Sequence, residues 1–129
     1  FVADFNYTIK DELSSFQIGY GRDISFDADN DLREVDRLYT NYSNYLTERS
    51  RAGFSASIYL SRLDDSQEGD EDFRYLNVQP WITYSLTEKH SLKLTYRYSL
   101  EYNDTLESDK TVDRSQISLA VIFRFPKKY

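Results

Sequence analysis

Apolar and polar side chains alternate along most of the chain. The clearest example is segment 91–102 (SLKLTYRYSLEY), where leucine or tyrosine occupies every even position and polar residues occupy the odd ones. A period of two predicts an extended strand with one apolar and one polar face. The pattern is blurred in segment 35–46, where Thr40 and Asn44 fall on the apolar side, but its many tyrosines still favour a strand.

Seven strands are predicted in total. They cover residues 1–10, 15–26, 35–46, 51–62, 73–86, 91–102 and 114–125. All exceed the length of about 5–6 residues that is usual in soluble sheets, and they reach the roughly 9–11 residues of a tilted membrane strand. The 12 Tyr and 8 Phe agree with β structure, because aromatic residues suit a pleated surface.

The predicted connections alternate in length. The short ones cover residues 11–14, 47–50 and 87–90, and the longer, acidic ones cover 27–34, 64–72 and 103–113. Outer-membrane barrels have this asymmetry, with tight turns at the periplasmic end and longer external loops. The predicted fold is therefore all-β, an antiparallel up-and-down transmembrane β-barrel.

Seven strands cannot form a complete barrel of this kind. Single-chain bacterial barrels have an even number of strands, and the loop order places the start of the first strand on the external side. We therefore expect residues 1–129 to be the C-terminal segment of a larger even-stranded barrel domain, whose upstream strands are direct partners of this segment.

The last predicted strand carries a resemblance to a known class. In QISLAVIFRFPKKY (116–129), apolar residues alternate up to Phe123 and Phe125, and Tyr129 has the same parity. This stretch resembles the C-terminal assembly signal of Gram-negative outer-membrane β-barrels, from which it departs in the tail that begins at Pro126. The resemblance implies the outer membrane as location, and membrane lipid, lipopolysaccharide and the barrel-assembly machinery as partners. Strands such as LTYRYS (94–99) also resemble outer-membrane barrels associated with exopolysaccharide systems.

Each strand face has a predicted environment. The residues expected to face the lumen are Asn6, Lys10, Gln17, Asp23, Asn77, Gln79, Lys93, Arg97, Glu101 and Arg124. The residues expected to face lipid are Phe5, Ile18, Phe54, Ile58, Leu92, Leu94, Leu119, Val121 and Phe123. Small polar-side residues such as Gly19 and Ser57 favour a water-filled lumen, while the alternative is an interior closed by charge pairs such as Arg97 with Glu101.

Few residues suggest covalent chemistry. The chain has no Cys, which excludes thiol catalysis and Cys-based zinc sites, and its single His, His90, lies in a short connection. No enzyme activity is predicted. The net charge of −6 argues against a nucleic-acid partner. No cofactor is predicted, although the six carboxylates of DDSQEGDED (64–72) are candidates for divalent cations, the alternative being a solvated loop.

These observations lead to three functional hypotheses. The first is a polar-lined pore for passage or export of a hydrophilic solute, with polysaccharide among the candidates. The second is a non-conducting outer-membrane barrel that anchors a partner protein. The third is a soluble, lipocalin-like barrel whose apolar faces point inward.

Overall fold

The computed structural model describes residues 2–26, 32–64, 71–105 and 108–125, without the side chains of 63–64, 71–72, 104–105 and 108–110. Seven strands make up nearly all of it. They are β1 (Ala3–Lys10), β2 (Ser14–Phe26), β3 (Leu32–Tyr45), β4 (Ser50–Asp64), β5 (Glu71–Ser85), β6 (His90–Thr105) and β7 (Ser108–Phe123). The described part of the chain contains no helix that is long and apolar enough to cross a membrane.

The strands form one antiparallel sheet in sequence order, from β1 to β7. Each strand pairs with its predecessor and its successor, as in an up-and-down meander. In the described residues β1 and β7 do not pair with each other, so the sheet is open and each edge offers unpaired backbone groups. The predicted all-β, up-and-down architecture is confirmed, and the open sheet is consistent with part of a larger barrel.

The strand register places the apolar side chains of neighbouring strands on the same face of the sheet. Residues paired directly across antiparallel strands point to the same face, and the pairs join Leu38 to Ile58, Ile58 to Leu76, and Leu76 to Leu100. The face formed by the odd positions of β1 and β7 and the even positions of β2–β6 is called the apolar face below. The opposite side of the sheet is the polar face.

The sheet has almost no hydrophobic core. Val35, at 6% exposure, is the one buried hydrophobic residue of the described part. On the apolar face, large side chains stay open, with exposed fractions of 73% for Ile117 and 68% for Leu119. Soluble domains cover such a face with a second layer, and the described residues contribute only one.

Two of the three short connections, those after β3 and β5, form the same hydrogen-bonded turn. In LTERS the Thr47 hydroxyl accepts the N–H groups of Arg49 and Ser50 at 3.2 and 3.0 Å. In LTEKH the Thr87 hydroxyl accepts those of Lys89 and His90 at 3.2 and 3.1 Å. These side-chain bonds satisfy backbone donors locally, as Ser and Thr do in tight turns, and they fix the register of the hairpins.

One predicted connection was wrong. The acidic segment 103–113 was expected to be a long loop, but β6 continues to Thr105 and β7 begins at Ser108. The ladder continues through the pairs Asn103–Lys110 and Thr105–Ser108, because backbone pairing tolerates polar residues wherever both faces are solvated. Short and long connections therefore do not alternate throughout. Residues 27–31 and 65–70, in the other two acidic segments, lie outside the described residues.

Candidate binding surface on the polar face

Amide side chains line up across the first strands of the polar face. Gln17 of β2 donates to Asn6 of β1 and accepts from Asn41 of β3, each at 3.4 Å. Further along the same row, Arg97 Nε donates to Gln79 Oε1 at 3.0 Å. Among the described residues Arg97 thus contacts an amide and not Glu101, the partner expected if charge pairs closed the interior.

The structure places nearly all the predicted lumen residues on this polar face. They are Asn6, Lys10, Gln17, Asp23, Asn77, Gln79, Lys93, Arg97 and Glu101. Arg124 is different, because β7 ends at Phe123 and Arg124 follows it. Its backbone N–H donates to the Lys89 carbonyl at 2.7 Å, which ties the chain end to the β5–β6 turn. The expectation that Arg124 lies within the last strand was wrong.

The predicted lipid-facing residues all lie on the apolar face. They are Phe5, Ile18, Phe54, Ile58, Leu92, Leu94, Leu119, Val121 and Phe123. Of the predicted assembly signal, Phe123 is the last strand residue and its ring meets His90 edge-on at 5.2 Å between centroids. Phe125 lies beyond the strand and is 87% exposed, because no strand residue covers it, and Tyr129 is outside the described residues.

Aromatic rings cover two of the small residues of the polar face. The Tyr39 ring lies where a Cβ at Gly19 would be, and Trp81 Cζ2 is 2.8 Å from the Cβ position at Gly53. Each ring belongs to the residue paired directly across from its glycine. Gly21 differs, since no described atom lies within 4 Å of its Cβ position. Small residues therefore leave open space at only some positions, which sequence alone could not distinguish.

A group of two aromatic rings and two cations occupies the polar face near the short turns. Tyr45, Arg51, Trp81 and Lys93 come from four successive strands, β3 to β6, and are called the cation–aromatic cluster below. The Arg51 guanidinium carbon is 5.1 Å from the Tyr45 ring centre and 5.8 Å from that of Trp81. Lys93 Nζ is 5.2 Å from the Trp81 ring centre. These separations are within the range of cation–π attraction.

Arg51 is held in place by a hydrogen bond as well as by the rings. Its Nη2 donates to the buried Ser43 hydroxyl at 2.8 Å. Its Nε is buried and has no hydrogen-bond partner among the described residues. The three ion pairs found in that part of the chain involve Arg22 and Arg37, and neither Arg51 nor Lys93 takes part in one. The two cations of the cluster are therefore not neutralised by a described carboxylate.

The polar face as a whole carries more positive than negative charge. Among its described side chains the cations are Lys10, Arg33, Arg37, Arg51, Lys93, Arg97 and Arg114, and the anions are Asp4, Asp23 and Glu101. The net charge of −6 hides this excess, because most of the carboxylates lie in connections and at strand ends. Sorting the charges by strand parity would have revealed it from the sequence.

Charged residues also mark one boundary of the apolar face. Arg22 forms ion pairs with Asp36 at 3.1 Å and Glu34 at 3.5 Å, and the Tyr20 hydroxyl donates to Asp36 at 2.7 Å. Together with Arg74, these residues lie toward the acidic connections. On β1–β6 the stretch between this boundary and the short turns is uncharged and is called the apolar band below, and on β7 Asp113 lies opposite Leu100.

No cluster of three or more metal-ligating side chains occurs in the part of the chain that the structure describes. Most of the acidic segment 64–72 lies outside that part, so divalent binding there stays a prediction. Comparison with protein-family models, with curated proteins and with solved structures finds no match.

Proposed function

We propose that this chain is a segment of an outer-membrane β-barrel whose polar face lines a passage for a hydrophilic solute, with polysaccharide among the candidates. The observation that carries the proposal is the register, which gathers the apolar side chains of seven strands on one exposed face. Lipid is a solvent that would cover such a face without a second protein layer.

The dimensions of the apolar band support lipid contact. On the apolar face of β6 the band runs from Leu92 to Leu100 without a charged side chain, and these nine residues span about 27 Å at roughly 3.4 Å per residue. A tilted membrane strand needs about 9–11 residues. Membrane lipid and lipopolysaccharide would contact this band, and further strands of the same barrel would pair with the open edges of β1 and β7, since a membrane tolerates no unpaired edge.

The polar face supports a hydrophilic passage. Its amides, hydroxyls and charged groups form rows that extend from β1 to β7, as in the row of Asn6, Gln17 and Asn41. A solute would cross by exchanging water for these groups, and no covalent step is needed. The barrel-assembly machinery would insert the protein through the final strand.

Single-cysteine labelling tests the orientation of the faces. The chain has no cysteine, so Cys can be placed at neighbouring positions of opposite faces in the full-length protein, with any other cysteine replaced. The matched pairs are Leu94→Cys with Thr95→Cys, Ile58→Cys with Ser57→Cys, and Leu119→Cys with Ser118→Cys. In outer membranes a charged thiol reagent should label the polar-face member of each pair and a lipophilic maleimide the apolar-face member. Equal labelling by the charged reagent would overturn the proposal.

Conductance tests the passage itself. The purified full-length protein in a planar bilayer should carry a steady ion current, whereas a sealed bilayer would favour a non-conducting barrel that anchors a partner. That alternative has its own support, because Tyr39, Tyr59, Tyr75 and Trp81 place large rings on the polar face. A protein that remains monomeric in water without detergent would instead favour the soluble ligand-binding barrel.

A further inference from the structure

We infer that the cation–aromatic cluster is a binding subsite for the acid group of a carboxylated sugar. The inference rests on the proposed function, because it specifies which hydrophilic solute the polar face accepts. Arg51 and Lys93 supply positive charge without a described counter-ion, on a face where the described cations outnumber the anions. An anionic solute group would complete it.

The geometry keeps the two cations in position while leaving donors free. Arg51 is packed between the Tyr45 and Trp81 rings and anchored through Nη2 to Ser43. Its Nε is buried, and its Nη1 has no hydrogen-bond partner within the described residues. Lys93 stands on the other side of the cluster, 5.2 Å from the Trp81 ring centre. A guanidinium fork matches a carboxylate in two parallel hydrogen bonds, and a preordered side chain loses little entropy when it binds.

The surroundings of the cluster fit the rest of a sugar. A shallow groove of about 190 Å³ beside Trp81 is lined by Ser15, Gln17 and Asn41, among other residues. Their hydroxyl and amide groups donate and accept hydrogen bonds, as the hydroxyls of a pyranose require. A neighbouring groove of about 280 Å³ continues the polar surface toward the β1–β2 connection. Its lining includes Lys10, Ser43, Tyr45 and Arg51, together with the carboxylates of Asp11 and Glu12. Groups that could bind the acid of a sugar thus lie next to groups that could bind its hydroxyls.

Trp81 makes the subsite directly measurable. It is the single tryptophan of these 129 residues, so its fluorescence reports binding when any tryptophan elsewhere in the full-length protein is replaced by phenylalanine. The probe is a β-1,4-linked glucuronate tetramer, and its control is the uncharged glucose tetramer with the same linkage. The detergent-solubilised protein should give a saturable change with the acidic tetramer and none at the same concentrations of the neutral one.

A pair of charge variants tests whether the cluster is responsible. Arg51→Gln with Lys93→Gln should weaken binding of the acidic tetramer by about tenfold or more, since hydrogen bonds to charged groups are the stronger ones. The matched control is Arg49→Gln with Lys89→Gln, which removes the same two charge types from exposed turn positions at the same end of the sheet. The control should bind as the unmodified protein does.

A measurement on the unmodified protein covers the case in which the cluster variant does not fold. Raising the salt concentration should weaken binding of the acidic tetramer, because added ions screen the attraction. Equal binding of both tetramers, equal losses in the two double variants, or binding indifferent to salt would each overturn the inference. If the protein binds the acidic tetramer but carries no ion current, the proposed passage is contradicted and the subsite is not. If it carries a current but does not bind the acidic tetramer, the subsite is contradicted and the passage is not.

Discussion

Gly19 and Gly21 lie two positions apart on the same face of β2 but have different surroundings. The Tyr39 ring fills the space beside Gly19, whereas the Cβ position at Gly21 is open in the described structure. An aromatic ring that lies over a strand glycine covers backbone that would otherwise be exposed. The Tyr39 ring therefore packs into the space that a side chain at Gly19 would take, whereas the corresponding space at Gly21 is a gap.

This difference predicts opposite effects of one substitution. Gly19→Ala should destabilise the protein by about 1–3 kcal/mol, because Tyr39 must leave its place. Gly21→Ala should stabilise it by about 0.5–1 kcal/mol, because alanine loses less backbone entropy in a strand. Urea unfolding of the two variants in the same detergent measures both changes. Two changes of the same sign would contradict the packing described for Tyr39.

Gly53 resembles Gly19 but is more restricted. A Cβ there would approach the backbone carbonyl oxygen of Tyr42 as well as the Trp81 ring. A ring can rotate away, whereas backbone held in a ladder cannot move without breaking hydrogen bonds. The position of Trp81 in the cation–aromatic cluster thus depends on a residue with no side chain.

At the scale of the strand, β5 contains the one irregularity among the described ladder pairs. Pro80 pairs with Phe54 on the β4 side, but on the β6 side the pairs pass from Val78–Tyr98 to Trp81–Thr95. Proline has no N–H to donate, so it is expected at edges and not in central strands. β5 nevertheless continues to Ser85, because its β4 ladder is unbroken and its apolar side chains keep their parity.

Restoring the missing donor should strengthen this part of the sheet. Pro80→Val supplies an N–H opposite Tyr96 and a β-branched side chain on the apolar face. We expect a gain of about 0.5–1.5 kcal/mol, the usual net value of one hydrogen bond, together with slower amide exchange at residues 95–98. The matched control Val78→Ile changes an apolar side chain on the same strand without adding a donor, and it should leave that exchange unchanged. Faster exchange in Pro80→Val would indicate that the proline, not its missing donor, holds β5 and β6 together.

At the scale of the whole molecule, the two faces of the sheet have different charge. On the apolar face of β1–β6, charges are absent between the Arg22, Glu34 and Asp36 side chains and the short turns, whereas the polar face carries seven described cations and three anions. The described residues form an open single layer with one buried hydrophobic residue, so this part of the chain gains little stability from a protein interior. What covers the apolar face therefore matters for its stability.

A charge placed within the apolar band tests what covers it. Leu94→Arg should cost about 2–4 kcal/mol of folding free energy in lipid vesicles, as a cation on the lipid face of a barrel does. Thr95→Arg adds the same side chain to the polar face one residue away and should cost less than about 1 kcal/mol. Refolding yield and urea unfolding in vesicles measure both values. Similar costs at the two positions would argue against lipid contact at Leu94.

The alternation in the sequence by itself determined the number of strands, their approximate bounds and the face on which each side chain lies. Strand geometry imposes a period of two whatever the partners are, so residues such as Leu94 and Thr95 separate without tertiary information. Segment 35–46 was also predicted to be a strand, and β3 is continuous there although Thr40 lies among apolar residues. The prediction of a loop over residues 103–113 was wrong. It rested on acidic composition, whereas backbone pairing maintains a ladder there.

Only the tertiary structure decided which side chains meet. The cation–aromatic cluster joins residues 45, 51, 81 and 93 through the register of four strands, and each register depends on turns and pairings that no single strand specifies. The covering of Gly19 and the pairing of Arg22 with Glu34 and Asp36 arise in the same way. Contacts between distant segments are set by cross-strand geometry, which a local pattern does not contain.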